Sequence, residues 1–293
     1  MPVARIGIIG GSGFYAIEGF EAERELRVAT PFGEPSDALH VGALGGVEVA
    51  FLPRHGRGHR IPPVRVNARA NVWALKSVGV EWVLSVSAVG SLREDIAPLD
   101  VVIPDQLVDR TRQRPASFFD EPGLVVHVGL ADPFCPVLSD LVATAAAETG
   151  ARVHRGGTYV CIEGPQFSTR AESRLFRTWG LDVIGMTALP EARLAREAEL
   201  HYAILALCTD YDVWHTSSEP VTVAMVVANF AKNVSVSKRA VLTAVPAIAA
   251  ATATCACSSA LATALLTARE AIPDALRTRH DLLIGKYLRA ERP

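Results

Sequence analysis

Short apolar runs closed by glycine or proline alternate along the chain with longer segments whose apolar residues recur at helical spacing. Residues 5–9 form the first run and lead into Gly10-Gly-Ser-Gly13, which reads as a buried strand entering a glycine turn. Residues 47–52 predict a second strand, closed by Pro53-Arg54-His55-Gly56, and 82–89 a near-continuous apolar strand ending in Ser87-Ala-Val-Gly-Ser91. Further strands are predicted at 100–103, 157–162, 182–186 and 202–208. Helices are predicted at 67–78, stopped by Gly79, and at 136–148, 171–179, 190–200 and 221–245, with Pro190 near a first turn. Residues 110–135 are rich in Arg, Pro, Asp and Gly and read as a long functional loop rather than a linker.

Strands alternating with helices indicate an α/β fold with a sheet covered on both faces. No segment between elements looks like a boundary, so one domain over residues 1–293 is expected, with a core at about 5–250 and a C-terminal helical segment at about 251–293. Composition agrees with a sizeable core: of 293 residues, 49% are hydrophobic and 20% charged, which excludes intrinsic disorder. The formal net charge of -2 gives no basic bias toward nucleic acid. The longest weakly polar stretch, 240–267, is rich in Ala, Thr and Ser and reads as soluble helix rather than a membrane span. With no secretory pattern at the N-terminus, a cytoplasmic protein is expected, without nucleic-acid or membrane partners.

In open α/β sheets ligands gather at the carboxyl ends of strands, and here those ends carry unusual polar groups. Gly10-Gly-Ser12-Gly13 offers unobstructed backbone N–H groups, Arg54 a fixed charge and a planar fork, His55 a further donor, and Ser87 and Thr187 hydroxyls. Together they suit a phosphate, although a tight turn and a solvated arginine are the plain alternatives. Asp210 and Asp212 follow a strongly apolar strand, where side chains two apart would point the same way and could divide donor and acceptor roles. Capping a strand end is the simpler role for either. Phe167, in Glu163-Gly-Pro-Gln-Phe-Ser168, offers an aromatic face or a core residue.

Competing motifs fail on context. Gly11-Ser-Gly13-Phe-Tyr-Ala16 fits a dinucleotide fingerprint, but no second strand ends in an acidic residue at the expected distance. His55-Gly-Arg-Gly-His59 has zinc-helix spacing, but its glycines and Pro62-Pro63 argue against a helix. No G-x-S-x-G elbow supports a serine hydrolase. The five cysteines, Cys135, Cys161, Cys208, Cys255 and Cys257, include no CxxC pair, so no metal site is expected, and buried thiols are the plain reading. Cys255-Ala-Cys257 alone has a spacing that a small strained disulfide could close.

With these residues assembled, the chain resembles the methylthioadenosine phosphorylases of the purine nucleoside phosphorylase superfamily. The matching stretches include Ile6-Gly-Ile-Ile-Gly-Gly-Ser-Gly13, Arg54-His-Gly-Arg57, Val66-Asn-Ala-Arg-Ala-Asn71 and Ala88-Val-Gly-Ser-Leu-Arg-Glu94. They continue through Ile162-Glu-Gly-Pro-Gln-Phe-Ser168, Met186-Thr187 and Thr209-Asp-Tyr-Asp212, collinear over roughly 5–250. The resemblance implies a three-layer α/β/α sandwich with a mixed central sheet and a small distorted barrel, assembled as a trimer or a dimer of trimers. It implies phosphate binding by Ser12, Arg54, His55, Ser87, Thr187 and the Ala88 backbone. Met186 would lie against the ribose, Phe167 with Ser168 beside the purine, and Asp210 and Asp212 on the purine edge, with Asp210 catalytic. Val223 and Val227 would line a methylthio pocket, and His127 would reach a neighbouring subunit's site.

The implied reaction is reversible phosphorolysis of 5'-methylthioadenosine, with inorganic phosphate as co-substrate and no metal or organic cofactor. Gly185 stands where relatives often carry Asn, which would shift base recognition toward the two aspartates; Ser12 for Thr and Val89 for Cys change less. Cys255-Ala-Cys257 resembles a CxC element of disulfide-bearing thermophilic members. The alternatives are a 6-oxopurine nucleoside or methylthioinosine phosphorylase and, more distantly, a non-catalytic nucleoside-binding module. An ionised Asp212 would accept from a 6-amino group and repel a 6-oxo group, which favours adenine.

Overall fold

The computed structural model describes residues 3–11, 19–215 and 223–289, with backbone alone for residues 21, 22, 223–226 and 230. The strands are β1 (Ile6–Gly10), β2 (Glu21–Leu26), β3 (Leu39–Leu44), β4 (Val47–Pro53), β5 (Trp82–Ser91), β6 (Val101–Ile103), β7 (Gln106–Arg110), β8 (Val153–Arg155), β9 (Thr158–Ile162), β10 (Val183–Gly185) and β11 (His201–Asp210). The helices are α1 (Ala68–Ser77), α2 (Pro136–Glu148), α3 (Arg170–Thr178), α4 (Ala188–Glu197), α5 (Val223–Ala250) and α6 (Asp274–Arg289). Among the described residues, no helix is long and apolar enough to cross a membrane.

The apolar runs became the centre of one mixed sheet. β1 lies between parallel partners β4 and β5, and β5 has β11 parallel along its other edge. Side-chain alternation then builds two cores. Trp82, Leu84 and Val86 of β5 and Ala203, Leu205 and Leu207 of β11 pack with Leu138 and Val142 of α2 and Val241 and Val245 of α5. On the other face, Val83 and Val89 of β5 and Tyr202 and Ile204 of β11 meet Leu75 of α1, Leu194 of α4 and Ile284 of α6. The result is helix, sheet and helix in three layers, the expected architecture. Gly7 in β1 is required by packing: a Cβ there would stand 3.0 Å from Val80 Cγ1 and 3.2 Å from Leu75 Cδ2.

Two sequence expectations need correction. The small barrel does not close among the described strands; the sheet branches at β5 instead, with β11, β6 and β8 forming a side arm. The helix expected across 240–267 ends at Ala250. From there to residue 267 the chain makes only a short 3-10 turn, Ala256–Ser259. Its side chains are drawn into the core: Cys257 and Leu261 are buried, and Leu261 N–H donates to Glu199 Oε1 at 2.9 Å. The Thr- and Ser-rich stretch carries no apolar stripe that would keep it helical against these contacts.

Candidate active site

A fork in β5 opens the site. β1 follows β5 only as far as Ser85, and β10 joins the same edge, antiparallel, only at Gly90 and Ser91. Between these points, among the described residues, β5 is paired through β11 alone, and a cavity of about 470 Å³ occupies the gap. Its walls include Arg54, His55, Ser87, Ala88, Phe167, Ser168, Met186, Thr187, Asp210, Asp212 and Val227. These residues, distant in sequence, line one cavity.

Arg54, which follows β4, is only 2% exposed. Its Nε donates to Glu191 Oε1, Nη2 to Ser85 Oγ at 2.6 Å and Glu191 Oε2 at 3.2 Å, and Nη1 to the Val86 carbonyl at 3.0 Å. Glu191 also accepts from Ser85 Oγ at 3.1 Å and Tyr202 OH at 3.0 Å. Burial works against the guanidinium charge, and Glu191 more than offsets it. The fork expected to grip an anion is thus largely spent on Glu191. With five N–H donors in total, what remains for a ligand is the charge and one Nη1 N–H, near Gly11, whose absent Cβ would stand 3.9 Å away.

His55 differs from expectation in a similar way. Its Nδ1 lies 2.8 Å from the Ile61 carbonyl, which can only accept, so Nδ1 carries the proton. Burial, then the Arg54 charge, push its pKa down to about 4, so the ring is neutral at pH 7. Nε2 is then an acceptor, suited to the O–H of a hydrogen phosphate rather than to a bare phosphate oxygen. Ser87 Oγ lies 2.9 Å from Thr187 Oγ1, completing a hydroxyl pair beside Ala88. Ser12 lies outside the described residues.

The opposite wall is acidic. Asp210 ends β11 beyond a register shift that follows Cys208. Asp212 is not on a strand, as the i and i+2 reading expected, but in a left-handed turn with φ 50°. That turn lets Asp212 N–H donate to Asp210 Oδ1 at 2.8 Å. Asp210 Oδ2 lies 2.6 Å from Thr209 Oγ1, which is also 3.2 Å from the Val89 carbonyl. One hydroxyl hydrogen cannot serve both acceptors, and the shorter contact is the donation to Asp210 Oδ2. Burial raises the Asp210 pKa, against the opposing effects of the Thr209 hydroxyl and the Asp212 N–H. Burial also pushes Asp212 up to about 6, against an opposing effect of the Ser173 hydroxyl. Neither Asp212 Oδ2 nor Ser173 Oγ makes a well-formed hydrogen bond among the described residues. Gly90 is what admits Asp210, since a Cβ there would stand 2.8 Å from Oδ1.

Phe167 is 44% exposed, so the core reading of this residue is excluded. Ser168 Oγ is buried without a partner among the described residues. Val227 lies on the cavity wall at the start of α5, while the side chain of Val223 lies outside what is described. His127 is exposed, does not line this cavity, and pairs through its backbone N–H with the Ala264 carbonyl at 2.9 Å.

Sequence reasoning missed four features. No local pattern pairs Glu191 with Arg54, 137 positions away. Tyr159, fully buried, sends its hydroxyl to 3.4 Å from Ser87 Oγ, and burial pushes its pKa up to about 12. Arg114, from the 110–135 loop, donates to the carbonyls of Met186 (2.7 Å) and Leu189 (2.6 Å) and to Glu163 Oε1 (3.2 Å), clamping two cavity loops together. Away from the cavity, Cys135, His201, Cys255 and Cys257 converge, although no metal ligands were expected.

The chain is similar to known proteins over nearly its whole length. An S-methyl-5'-thioadenosine phosphorylase of Koribacter versatilis is 54% identical over 284 residues, covering 97% of each chain. One from Hyperthermus butylicus is 54% identical over 266 residues, 90% of this chain and 96% of its own. Among solved structures, a methylthioadenosine phosphorylase from an antarctic soil metagenomic library superposes with TM-score 0.91 at 46% identity, covering 97% of this chain and 99% of that one. Methylthioadenosine phosphorylase from Schistosoma mansoni in complex with adenine gives 0.86 at 40% identity, with 90% and 99% coverage. The family model described as the phosphorylase superfamily matches residues 5–246, and the chain belongs to that superfamily.

Proposed function

We propose that this chain catalyses the reversible phosphorolysis of 5'-methylthioadenosine to adenine and 5-methylthioribose 1-phosphate, as a pentosyltransferase of the purine nucleoside phosphorylase type. The observation that carries the reading is one cavity with a buried cation at one end and two carboxylates of raised pKa at the other. Relatives named for this activity, about half identical over nearly the full chain, support it.

Inorganic phosphate is the co-substrate, held by Arg54, His55, Ser87, Thr187, the Ala88 backbone and Ser12. Its oxygen attacks C1′ while the bond from C1′ to the purine nitrogen breaks. Positive charge develops on the ribose, and the nearby phosphate offsets it in a fixed environment. Met186 lies against the ribose and Phe167 with Ser168 against the base. Asp210 gives its proton to purine N7, so that adenine leaves neutral. Ionised Asp212 accepts from the 6-amino group through Oδ2, which has no hydrogen-bond partner among the described residues, and its negative charge repels the oxygen of a 6-oxopurine. Val223 and Val227 wall the methylthio group. The reading calls for no metal or organic cofactor in the reaction. It takes the whole chain as one domain of a cytoplasmic homo-oligomer, a trimer or dimer of trimers, in which His127 serves a neighbouring subunit.

The test is phosphate-dependent release of free base across 5'-methylthioadenosine, adenosine, inosine and methylthioinosine. Methylthioadenosine should give the highest kcat/KM, since burying an unpartnered 5′-hydroxyl costs about 1–3 kcal/mol. Equal constants for adenosine would remove the valine-pocket assignment. A higher constant for methylthioinosine would reassign the base.

A further inference from the structure

At the end of β11 remote from the cavity, four side chains converge that the reaction does not use. Cys135 caps the N-terminus of α2, His201 opens β11, and Cys255 and Cys257 lie on the irregular run after α5. Their three sulfurs and one His nitrogen all lie within 4.8 Å of one another. Cys255 Sγ is 3.5 Å from both Cys135 Sγ and Cys257 Sγ. His201 Nδ1 is 3.4 Å from Cys135 Sγ and 3.2 Å from Cys255 Sγ. All are free thiols, and all four residues are buried or partly buried.

We infer that this cluster is a structural metal site that takes one zinc ion through the thiolates of Cys135, Cys255 and Cys257 and Nδ1 of His201. A tetrahedral ion with Zn–S of about 2.3 Å and Zn–N of about 2.0–2.1 Å sets its ligand atoms roughly 3.5–3.8 Å apart. Of the four separations, the two between sulfurs stand at the lower bound of that range and the two to His201 just below it. A ligand set of three soft sulfurs and an imidazole selects zinc over magnesium, calcium or manganese.

The surroundings fit bound thiolates. Leu138 N–H points at Cys135 Sγ from 3.4 Å, and Arg196 Nη1 at Cys257 Sγ from 3.6 Å. Three thiolates around a divalent ion leave one net negative charge, which Arg196 offsets. The His201 ring stacks on Trp82 with centroids 4.0 Å apart and planes 20° from parallel, so its plane is fixed before any ion arrives. Loading releases three thiol protons to solvent and changes no oxidation state. Nδ1 binds as the unprotonated nitrogen, with the imidazole proton on Nε2.

Four protein ligands leave no open position, which marks a structural site rather than a catalytic one. The fold agrees, because Asp210 stands at the far end of β11, about 30 Å away at strand rise. The ion would tie the run after Ala250 to α2 and β11. That run has little regular hydrogen bonding of its own, and the ion supplies a cross-link in its place. A Cys255–Cys257 disulfide is the competing fate of the same sulfurs, and it would remove two of the four ligands.

The full chain, made without a metal-binding tag in zinc-supplemented medium and purified under reducing conditions without chelator, decides between them. Zinc content by plasma mass spectrometry should be about one per chain. Replacing zinc with cobalt should give the intense visible bands of a tetrahedral, sulfur-rich centre. Chelation should lower Tm, and zinc alone should restore it. Cys255→Ser and Cys257→Ser should cut zinc content about tenfold or more, in line with loss of one of four ligands, while phosphorolysis at moderate temperature is retained. The inference is overturned if the wild-type chain holds less than about a tenth of an equivalent, or if its intact mass under thiol-blocking conditions is lower by the two hydrogens of a disulfide. A six-coordinate cobalt spectrum would overturn it as well. The wild-type measurements stand even where a variant fails to fold.

Discussion

At the Arg54 end of the cavity, Arg54, Glu191, Ser85 and Tyr202 satisfy one another before any ligand arrives, whereas at the other end Asp212 Oδ2 and Ser168 Oγ have no partner among the described residues. The difference follows from charge. A guanidinium at 2% exposure needs a counter-ion for the chain to fold, because an unpaired buried charge costs several kcal/mol. A carboxyl group can instead shed its charge by taking up a proton: burial raises the pKa of both Asp210 and Asp212, and at about 6 Asp212 stays largely ionised at pH 7 but is protonated in mild acid. One end is therefore built as core and the other as a site that its ligand completes.

The largest expected effect lies at the unfinished end. Asp210→Asn keeps the shape and the contact with Thr209 but cannot release a proton. The kcat for methylthioadenosine should fall by ~10²–10⁴, the range for general acid catalysis, with the KM for phosphate nearly unchanged. A change in phosphate KM as large as that in kcat would show that the two ends are not separable.

The converse variant acts on the finished end. Glu191→Ala strands Arg54 and should cost about 3–5 kcal/mol in urea unfolding. Phosphate would then supply the missing negative charge, so saturating phosphate should raise the variant's Tm more than that of the wild type. Equal phosphate-induced shifts would mean that the guanidinium does not face the ligand.

The same contrast decides what could be read from the sequence. β1, β4, β5 and β11 are apolar runs buried on both faces, and their composition alone announces them. β2, a peripheral strand of alternating charge (EAEREL), and the three-residue β8 carry no such signal. α6 falls within the C-terminal segment expected to be helical, but Gly285 and the buried His280 obscure its bounds. At the site, Arg54 and Asp210 were legible because each ends a recognisable strand. Glu191, Tyr159 and Arg114 were not, because each acts through a partner distant in sequence, and nothing about a lone Glu, Tyr or Arg names that partner. His55 lines the cavity, but the donor expected of it is turned to the Ile61 carbonyl, a contact that nothing local in the sequence announces.

A smaller effect should come from Asp212. Its pKa of about 6 in the folded chain exceeds the ordinary 3.8, so the folded state binds the proton more tightly than the unfolded state. The associated stabilisation is fully present below pH 3.8 and is lost as pH rises through about 6. Asp212→Asn escapes that loss, and should be more stable than wild type by about 2–3 kcal/mol at pH 7.5, with the difference shrinking to nothing well below pH 3.8. It should also narrow the preference for methylthioadenosine over methylthioinosine, because an amide can donate to a 6-oxo group. In the wild type the same narrowing should set in as pH falls below about 6. A preference unchanged by both would return Asp212 to a turn-forming role.

The smallest effect tests whether the two ends meet beneath the cavity floor. Gly185 has no room for a side chain, since a Cβ there would stand 2.0 Å from Tyr159 Oη. The tyrosine hydroxyl therefore occupies the space that a larger residue at 185 would take, and it approaches Ser87 rather than the base wall. Tyr159→Phe removes that hydroxyl and leaves the ring packing intact, while Ser87 keeps Thr187 as a partner. A neutral hydrogen bond of this kind contributes about 0.5–1.5 kcal/mol, so the KM for phosphate should rise about twofold to tenfold with base preference unchanged. Gly185→Ala should be harmful in the wild type and milder beside Tyr159→Phe, where the clash is relieved. If Tyr159→Phe instead shifts the ratio of methylthioadenosine to methylthioinosine and spares the phosphate KM, the hydroxyl serves the base, and position 185 has exchanged one base contact for another.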